Sequence, residues 1–322
     1  MIEPDEDDAA TESGKADRPT PGGPRQTTSY LRELLASQGL RPRRQLGQNF
    51  LIDLNLLELL VNAATIGPKD VVLEVGAGTG GLTTRLAALA AGVVAVEIDP
   101  GFHRLVSREV AALPNIELFH ADALAGKNKL NPDVVAAVAR MLEKHGAGFY
   151  RLVANLPYDV ATSVVGNILV HELPIRSMTI TVQYEVGMRM VAQPGSRDYG
   201  PLSAMIQRVG TIEWVRTLPP TVFWPRPKVD SCIVRIDVDD SKRHPLDKLR
   251  EWNKFVRALF MQRRKMLRSA IASVPGFKEL KPKLNVLLDD LDIAGEVRCE
   301  QLTHEELWSI WERLESLRVE RT

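Results

Sequence analysis

The sequence predicts an α/β fold, a mostly parallel sheet covered by helices on both faces and followed by a small helical domain. Three observations carry this. Short β-rich runs alternate with helical stretches from Asp70 onward, the pattern of a parallel sheet. The first of these runs, DVVLEV, opens into a glycine turn before a helix. After Asp240 the strand signals stop and the pattern stays helical to the end.

The elements follow in order. Residues 1–28 are rich in Asp, Glu, Pro, Gly, Ser and Thr. Such a segment cannot bury enough apolar surface to offset its ordering entropy and is expected to be disordered. Apolar residues return at helical spacing at Tyr30, Leu31, Leu34 and Leu35, then RPRRQLGQNFLID leads into a helix over Leu54–Ala64. DVVLEVGAG reads as a strand and turn, LTTRLAALAA as a helix, VVAVEID as a second strand and PGFHRLVSREVAAL as a second helix. IELFHADAL, FYRLVANLPY and IRSMTITVQ are the third to fifth strands. The stretch AGKNKLNPDVVAAVARMLEKHGAGFY is longer than a connection requires and is expected to carry a surface helix. TIEWVRTLPPTVFWPRPKVDSCIVRID reads as two extended segments around a proline-rich bend, an antiparallel pair closing the sheet. The expected units are 29–240 and a helical 241–322.

Composition narrows the class. Hydrophobic content of 44% and charged content of 25% over 322 residues are those of a soluble globular protein. No apolar run reaches the roughly 18 residues of a membrane span. The N-terminus lacks the basic and apolar regions of a secretory signal. Cys232 and Cys299 show no CxxC spacing, which argues against a zinc site or a disulfide framework. A cytoplasmic protein with no metal is expected. The 41 basic and 41 acidic residues cancel, but they are segregated: the first 30 residues are acidic and 254–268 strongly basic.

Gly76, Gly78 and Gly80 follow the first strand. Glycines there permit a tight turn and close approach of a ligand to backbone. An acidic residue about 20 positions on, at the end of the next strand, can bond a ribose, and Glu97 stands there. A bare βα turn is the alternative for the glycines alone. Glu74, two residues before Gly76, would repel a pyrophosphate but welcome an ammonium. Asp122 ends the third strand, where a carboxylate suits an adenine amine; by itself it could equally cap the next turn. Carboxylates without a P-loop lysine fit S-adenosylmethionine better than a nucleoside phosphate.

The fourth strand ends in Asn155-Leu156-Pro157-Tyr158. Methylating an exocyclic amine of a base is hard because its lone pair is delocalised into the ring. Acceptors on both N–H bonds help the nitrogen become tetrahedral. The Asn155 oxygen and a backbone carbonyl of Leu156 or Pro157 can supply them, with Pro157 stiffening the turn. Tyr158 offers a face for stacking, worth about 1–3 kcal/mol per base. An Asn-x-Pro turn with a core tyrosine is the plainer alternative.

QLGQNFLID, LEVGAGTGGLT, VEIDP, ADAL, ANLPY and FWPRPKVDSCIVRI together resemble the small-subunit ribosomal RNA adenine N6-dimethyltransferases of the KsgA/RsmA/Dim type, in order from about Leu40 to Ser269. The resemblance implies a Rossmann-like class I methyltransferase domain with a small helical domain. It implies S-adenosylmethionine as cofactor and two adjacent adenosines near the 3′ end of small-subunit rRNA, within a pre-30S particle, as substrate of a monomeric enzyme. It implies cofactor contacts at Gln48, Asn49, the Leu51 backbone, Gly76, Glu97, Asp122 and Asn155, and a sandwich of the target adenine between Tyr158 and Phe223. From the residues alone, Phe223 and Trp224 could equally be packing. The family often continues NLPYNIST; Asp159 here replaces an amide.

RNA must be held by charge. Read as one helix at about 100° per residue, Lys254, Arg257, Arg264, Lys265 and Arg268 share one arc, while Phe255, Leu259, Met266 and Ala270 face a core. Such a stripe fits phosphates, against the plainer reading of a solvated face. Arg41, Arg43 and Arg44 add positive charge before the QNF segment. Three rivals remain open: a large-subunit rRNA adenine methyltransferase of the resistance type, a DNA adenine methyltransferase, and a non-catalytic assembly factor on the same scaffold. The proline-rich bend argues against the first and NLPY, rather than DPPY or NPPY, against the second.

Overall fold

The computed structural model describes residues 28–243 and 245–319. All of the acidic segment expected to be disordered, except Thr28, lies outside the described residues. Thr28 opens a helix, Thr28–Ser37, whose Leu31 and Leu35 pack on Phe50, Phe102 and Leu105.

Seven strands form the main sheet: β1 Val71–Val75, β2 Gly92–Glu97, β3 Ile116–His120, β4 Tyr150–Asn155, β5 Ile175–Gln183, β6 Gly210–Leu218 and β7 Ser231–Val238. Their order is β3-β2-β1-β4-β5-β7-β6. The first five run parallel, and β7 is antiparallel to both β5 and β6. All of β1 and β2 is buried, as strands covered on both faces must be, which is why they read as unbroken apolar runs. The strand order reverses between β1 and β4. In such sheets the crevice beyond the carboxyl ends at that point receives ligands.

Local chemistry sets the helices. Asp53 caps Leu54–Ala63, its Oδ1 accepting the Asn55 and Leu56 amides, a device worth about 1 kcal/mol. The long segment before β4 does hold a helix, Pro132–His145, capped by Asn131. It is not merely a surface addition. Val134, Ala137, Val138, Met141 and Leu142 are buried beside β1 and β2. Their 3.6-residue spacing lets one face cover the sheet, at about 1.5–3 kcal/mol per large apolar side chain.

The helices after Val238 include Leu246–Phe260, Leu267–Ile271, Leu284–Asp290 and His304–Val319. They share one continuous apolar cluster with the sheet and the helix Pro201–Val209. Buried Arg243 reinforces the junction, donating to the Leu169 and His171 carbonyls and pairing with Asp240. Arg250 donates to the Val170 carbonyl at 2.9 Å.

The basic run is not one helix. The first helix ends at Phe260, Met261–Lys265 form a turn, and the next begins at Leu267. Beyond Phe260 the inward positions would fall on Gln262 and Arg263, so no apolar residue continues the buried face. The Leu267 amide instead bonds the Val297 carbonyl at 2.7 Å. The arc expected for Lys254 through Arg268 therefore does not exist, and Met266, expected in the core, is 55% exposed.

Candidate active site

Three loops meet at the crevice between β1 and β4: Gly47–Leu51, Gly76–Gly80 and Asn155–Tyr158. Close packing explains two of the glycines. At Gly76 (φ +86°) an added Cβ would lie 3.2 Å from Pro157 Cδ, and at Gly78 (φ +58°) 2.9 Å from Phe50 Cε1. The turn thus touches both neighbouring loops and has room for little else. The Gly76 and Ala77 amides donate to the Val96 carbonyl, tying the turn to the end of β2.

Two carboxylates are buried beside it. Glu97 is 4% exposed; its Oε2 accepts the Gly78 amide at 2.8 Å and its Oε1 the Asp99 amide at 2.9 Å. Burial pushes its carboxyl above the ordinary range, and those amides oppose the shift. Glu74, inside β1, is 1% exposed and its Oε2 has no hydrogen-bond partner. Burial pushes Glu74 up to about 8; the Thr83 hydroxyl opposes the shift, and the nearby Glu97 charge adds to it.

Asn155 ends β4. Its Nδ2 donates to the Asn49 carbonyl at 2.8 Å, while its Oδ1 is buried without a partner. Asn49 in turn donates to the Gly47 carbonyl at 3.1 Å. The Leu156 amide bonds the Thr181 carbonyl of β5 at 3.2 Å. Both sides of the Asn155 loop are therefore fixed, and one amide oxygen is presented without a donor. Tyr158 is half-buried, its hydroxyl 2.6 Å from Ser231 Oγ. Burial pushes the phenol pKa up, against the effect of that hydrogen bond, so the ring stays neutral.

Other expected residues sit differently. Gln48 Oε1 accepts the Arg43 amide at 2.7 Å, and Arg43 Nε pairs with buried Asp99 at 3.2 Å. Asp99 also caps Pro100–Glu109. Arg43 therefore ties the QNF loop to the end of β2, with its side chain still 60% exposed. Asp122, just past β3, is exposed, and its Oδ1 accepts the Leu124 amide at 2.9 Å, so the turn-capping alternative is realised there. Leu51 pairs with Phe223 in a two-residue ribbon. Phe223 is only 2% exposed, packed in the cluster that contains Leu51 and Leu218. It offers no open face, and the sandwich expected of Tyr158 and Phe223 is not formed; its apolar ring is held inside by the ribbon.

Among the basic residues, Arg41 and Arg264 are exposed, and the side chain of Arg44 lies outside the described residues. Lys254 pairs with Glu251 at 2.6 Å, Arg257 bonds Asn128 at 3.2 Å, Lys265 bonds Ser273 at 3.0 Å, and Arg268 bonds Asn285 at 2.6 Å and meets Glu296 at 3.4 Å. A cleft of about 1350 Å³ lies between the sheet and the helices Leu246–Phe260 and His304–Val319; Lys127, Lys129, Arg250, Lys254 and Arg257 share its walls with Asp198, Asp247, Glu251 and Glu315.

Sequence reasoning missed three participants. Ile98 is 41% exposed between buried Glu97 and Asp99, an apolar ledge whose signal was an isoleucine flanked by two acids. Asp99 and Ser231 gave no local signal, since each acts through a residue distant in sequence. Among the described residues, no helix is long and apolar enough to cross a membrane, no group of three or more His, Cys, Asp or Glu could hold a metal, and both cysteines are free and buried.

Residues 39–315 match the family model described as ribosomal RNA adenine dimethylase. The chain is 36% identical over 288 residues to a ribosomal RNA small subunit methyltransferase A from Geobacillus thermodenitrificans, covering 88% of this chain and 94% of that one. It is 37% identical over 294 residues to a protein of the same description from Moorella thermoacetica, covering 90% and 96%. The fold resembles a dimethyladenosine transferase from Plasmodium falciparum, with a TM-score of 0.68 at 23% identity over 82% of this chain and 96% of that one. It also resembles the 23S rRNA methyltransferase ErmE, with a TM-score of 0.57 at 25% identity over 83% and 99%.

Proposed function

Because the chain belongs to the ribosomal RNA adenine dimethylase family, we propose that it dimethylates N6 of two adjacent adenosines in the 3′-terminal hairpin loop of small-subunit rRNA. The observation that carries the chemistry is Asn155: Nδ2 held by the Asn49 carbonyl, Oδ1 buried and unpartnered at the crevice. An unmet buried acceptor costs roughly 1–3 kcal/mol. A target amine supplies the missing donor.

The surroundings fit S-adenosylmethionine. Glu74 Oε2 is a buried unpartnered acceptor that suits an ammonium, and Glu97 at the end of β2 suits a ribose diol. Gly76 and the Gln48–Leu51 loop border the same crevice, Ile98 offers an apolar ledge, and Asp122, whose Oδ1 caps the turn by accepting the Leu124 amide, has a second carboxylate oxygen that suits an adenine amine. When bound, the cofactor supplies an electrophilic methyl group. Asn155 Oδ1 then accepts one N–H of the target amine and a carbonyl of Leu156 or Pro157 the other. This draws the nitrogen out of conjugation and aims its lone pair. An amide is not a base, so the proton leaves the alkylated nitrogen to solvent. Tyr158 stacks the extruded base.

RNA is held by the cleft and by the exposed cations Arg41, Arg257 and Arg264, whose phosphate contacts are independent of base sequence. The substrate form is a small-subunit precursor, met in the cytoplasm by a monomer. The test is to incubate the protein with labelled S-adenosylmethionine and unmethylated small subunits and to digest the RNA. Dimethyladenosine from the terminal hairpin, lost in Asn155→Ala with cofactor binding retained, is the expected result. Label in large-subunit RNA or DNA overturns it.

A further inference from the structure

The proline-rich bend FWPRPKVDS, residues 223–231, is left without a role once Phe223 proves buried. Its last residue supplies one. We propose that Ser231 is a positioning residue that fixes the ring of Tyr158 for the target base, an inference that rests on the base-stacking role given to Tyr158 above.

Ser231 is the first residue of β7 and has no exposed surface. It is held in register between Gln183 of β5 and Leu218 of β6, and the preceding carbonyl, that of Asp230, accepts the Tyr184 amide at 2.9 Å. Because β7 runs antiparallel to β5, its first residue lies at the same sheet edge as the carboxyl ends of β4 and β5. From this rigid point Ser231 Oγ stands 2.6 Å from the Tyr158 hydroxyl. Tyr158 lies three residues past Asn155. Its backbone is governed by the loop, but the direction of its ring axis is governed by the first side-chain torsion, which the loop does not set. The phenol oxygen lies at the far end of that axis, so a hydrogen bond there fixes the torsion. The ring then stays in place while the base is absent, so less ordering is left for the moment of binding. The tether joins residues 73 apart in sequence, so the bend fixes the aromatic wall beside Asn155 while never touching the reacting atoms.

Four proteins test this: wild type, Ser231→Ala, Tyr158→Phe and the double variant. The probes are an unmethylated small subunit for methyl transfer, and a synthetic terminal hairpin with 2-aminopurine at the first target adenosine for stacking. Ser231→Ala should lower kcat by roughly five- to tenfold, the equivalent of one ordinary hydrogen bond. It should weaken the 2-aminopurine quench and leave the KM for S-adenosylmethionine unchanged. Tyr158→Phe keeps the ring and loses only the tether, so it should match Ser231→Ala, and the double variant should be no worse than either. Effects that multiply, or a Ser231→Ala variant with wild-type rate and quench, overturn the inference. A merely structural Ser231 would lower stability without moving the quench. If wild type transfers no label to the small subunit, the substrate assignment fails instead. The non-additivity of the two substitutions in denaturant unfolding, which needs neither turnover nor RNA, then still decides whether Ser231 holds the Tyr158 ring.

Discussion

The crevice beyond β1, β2 and β4 and the basic surface of the C-terminal helices are both polar, yet their polar groups are treated in opposite ways. At the crevice, Glu74 and Asn155 each bury an oxygen with no partner. On the helices, Lys254, Arg257, Lys265 and Arg268 reach solvent and each already meets a neighbour. A buried unmet acceptor costs about 1–3 kcal/mol; other buried atoms such as Tyr199 Oη and Trp252 Nε1 also lack partners, but at the crevice two such acceptors stand beside one glycine turn, where one ligand can meet both. A solvated ion pair is worth only about 0–1 kcal/mol, so satisfied surface charge says little about function.

The contrast is sharpened first at Asn155. Asn155→Ala removes an acceptor used only as the amine becomes tetrahedral, and methyl transfer should fall by about 100- to 1000-fold. Cofactor affinity should stay within a fewfold, read by single-turnover label transfer beside calorimetry. A matched loss of both would make Asn155 a cofactor holder rather than an amine holder. Next is Glu97→Ala, which deletes a charged acceptor at the end of β2. Calorimetry should show S-adenosylmethionine binding about 10- to 100-fold weaker, and unchanged affinity would leave Glu97 as a support for the Gly78 and Asp99 amides alone.

Glu74 gives a pH signature. In the fold it keeps its proton to about 8, whereas its ordinary value is 4.5. The folded value is raised, so the stability this group contributes is fully present below pH 4.5 and is lost as pH rises through about 8. Glu74→Gln cannot ionise. Its melting temperature should therefore gain on wild type between pH 5 and about pH 8 and level off above that, and parallel curves would mean that Glu74 is already ionised in the fold. Binding of a ligand ammonium favours the ionised form, so the wild-type affinity for S-adenosylmethionine should strengthen over the same interval and that of Glu74→Gln should not.

The smallest effects belong to the helices. Charge reversal at Arg257 and Arg264 should weaken hairpin RNA binding severalfold and lower the slope of log affinity against log salt by about 0.7 for each phosphate no longer neutralised. Lys254→Ala, whose ammonium already meets Glu251, should change affinity by less than about twofold. Equal effects at all three would restore a single phosphate-binding stripe.

Much of this was legible because it is local. Strand alternation, the glycine turn, the placing of Glu97 and the Asn-Leu-Pro-Tyr end of β4 all follow from short-range spacing, and the antiparallel closure by β6 and β7 followed from two extended runs around prolines. The failures share one cause. Reading Lys254–Arg268 as a continuous helix extended a period through QRRK, where no apolar residue holds the buried face. Phe223 looked like an open ring because a proline-rich bend reads as surface, but pairing with Leu51, 172 positions away, carries it inside. Arg43 looked like one of three free cations, and its partner Asp99 is 56 residues on.

By itself the sequence determined which groups are available and on which strand ends they stand, since both depend on residue identity and on periods of two and 3.6. Only the tertiary structure decided which of those groups are left unpaired. Asn49 takes one end of the Asn155 amide and leaves the other, Ser231 takes the Tyr158 hydroxyl, and Asp99 removes Arg43 from the free charge. Each of those choices is a contact between distant segments, brought within hydrogen-bonding range by the packing of apolar residues that carry no chemistry of their own.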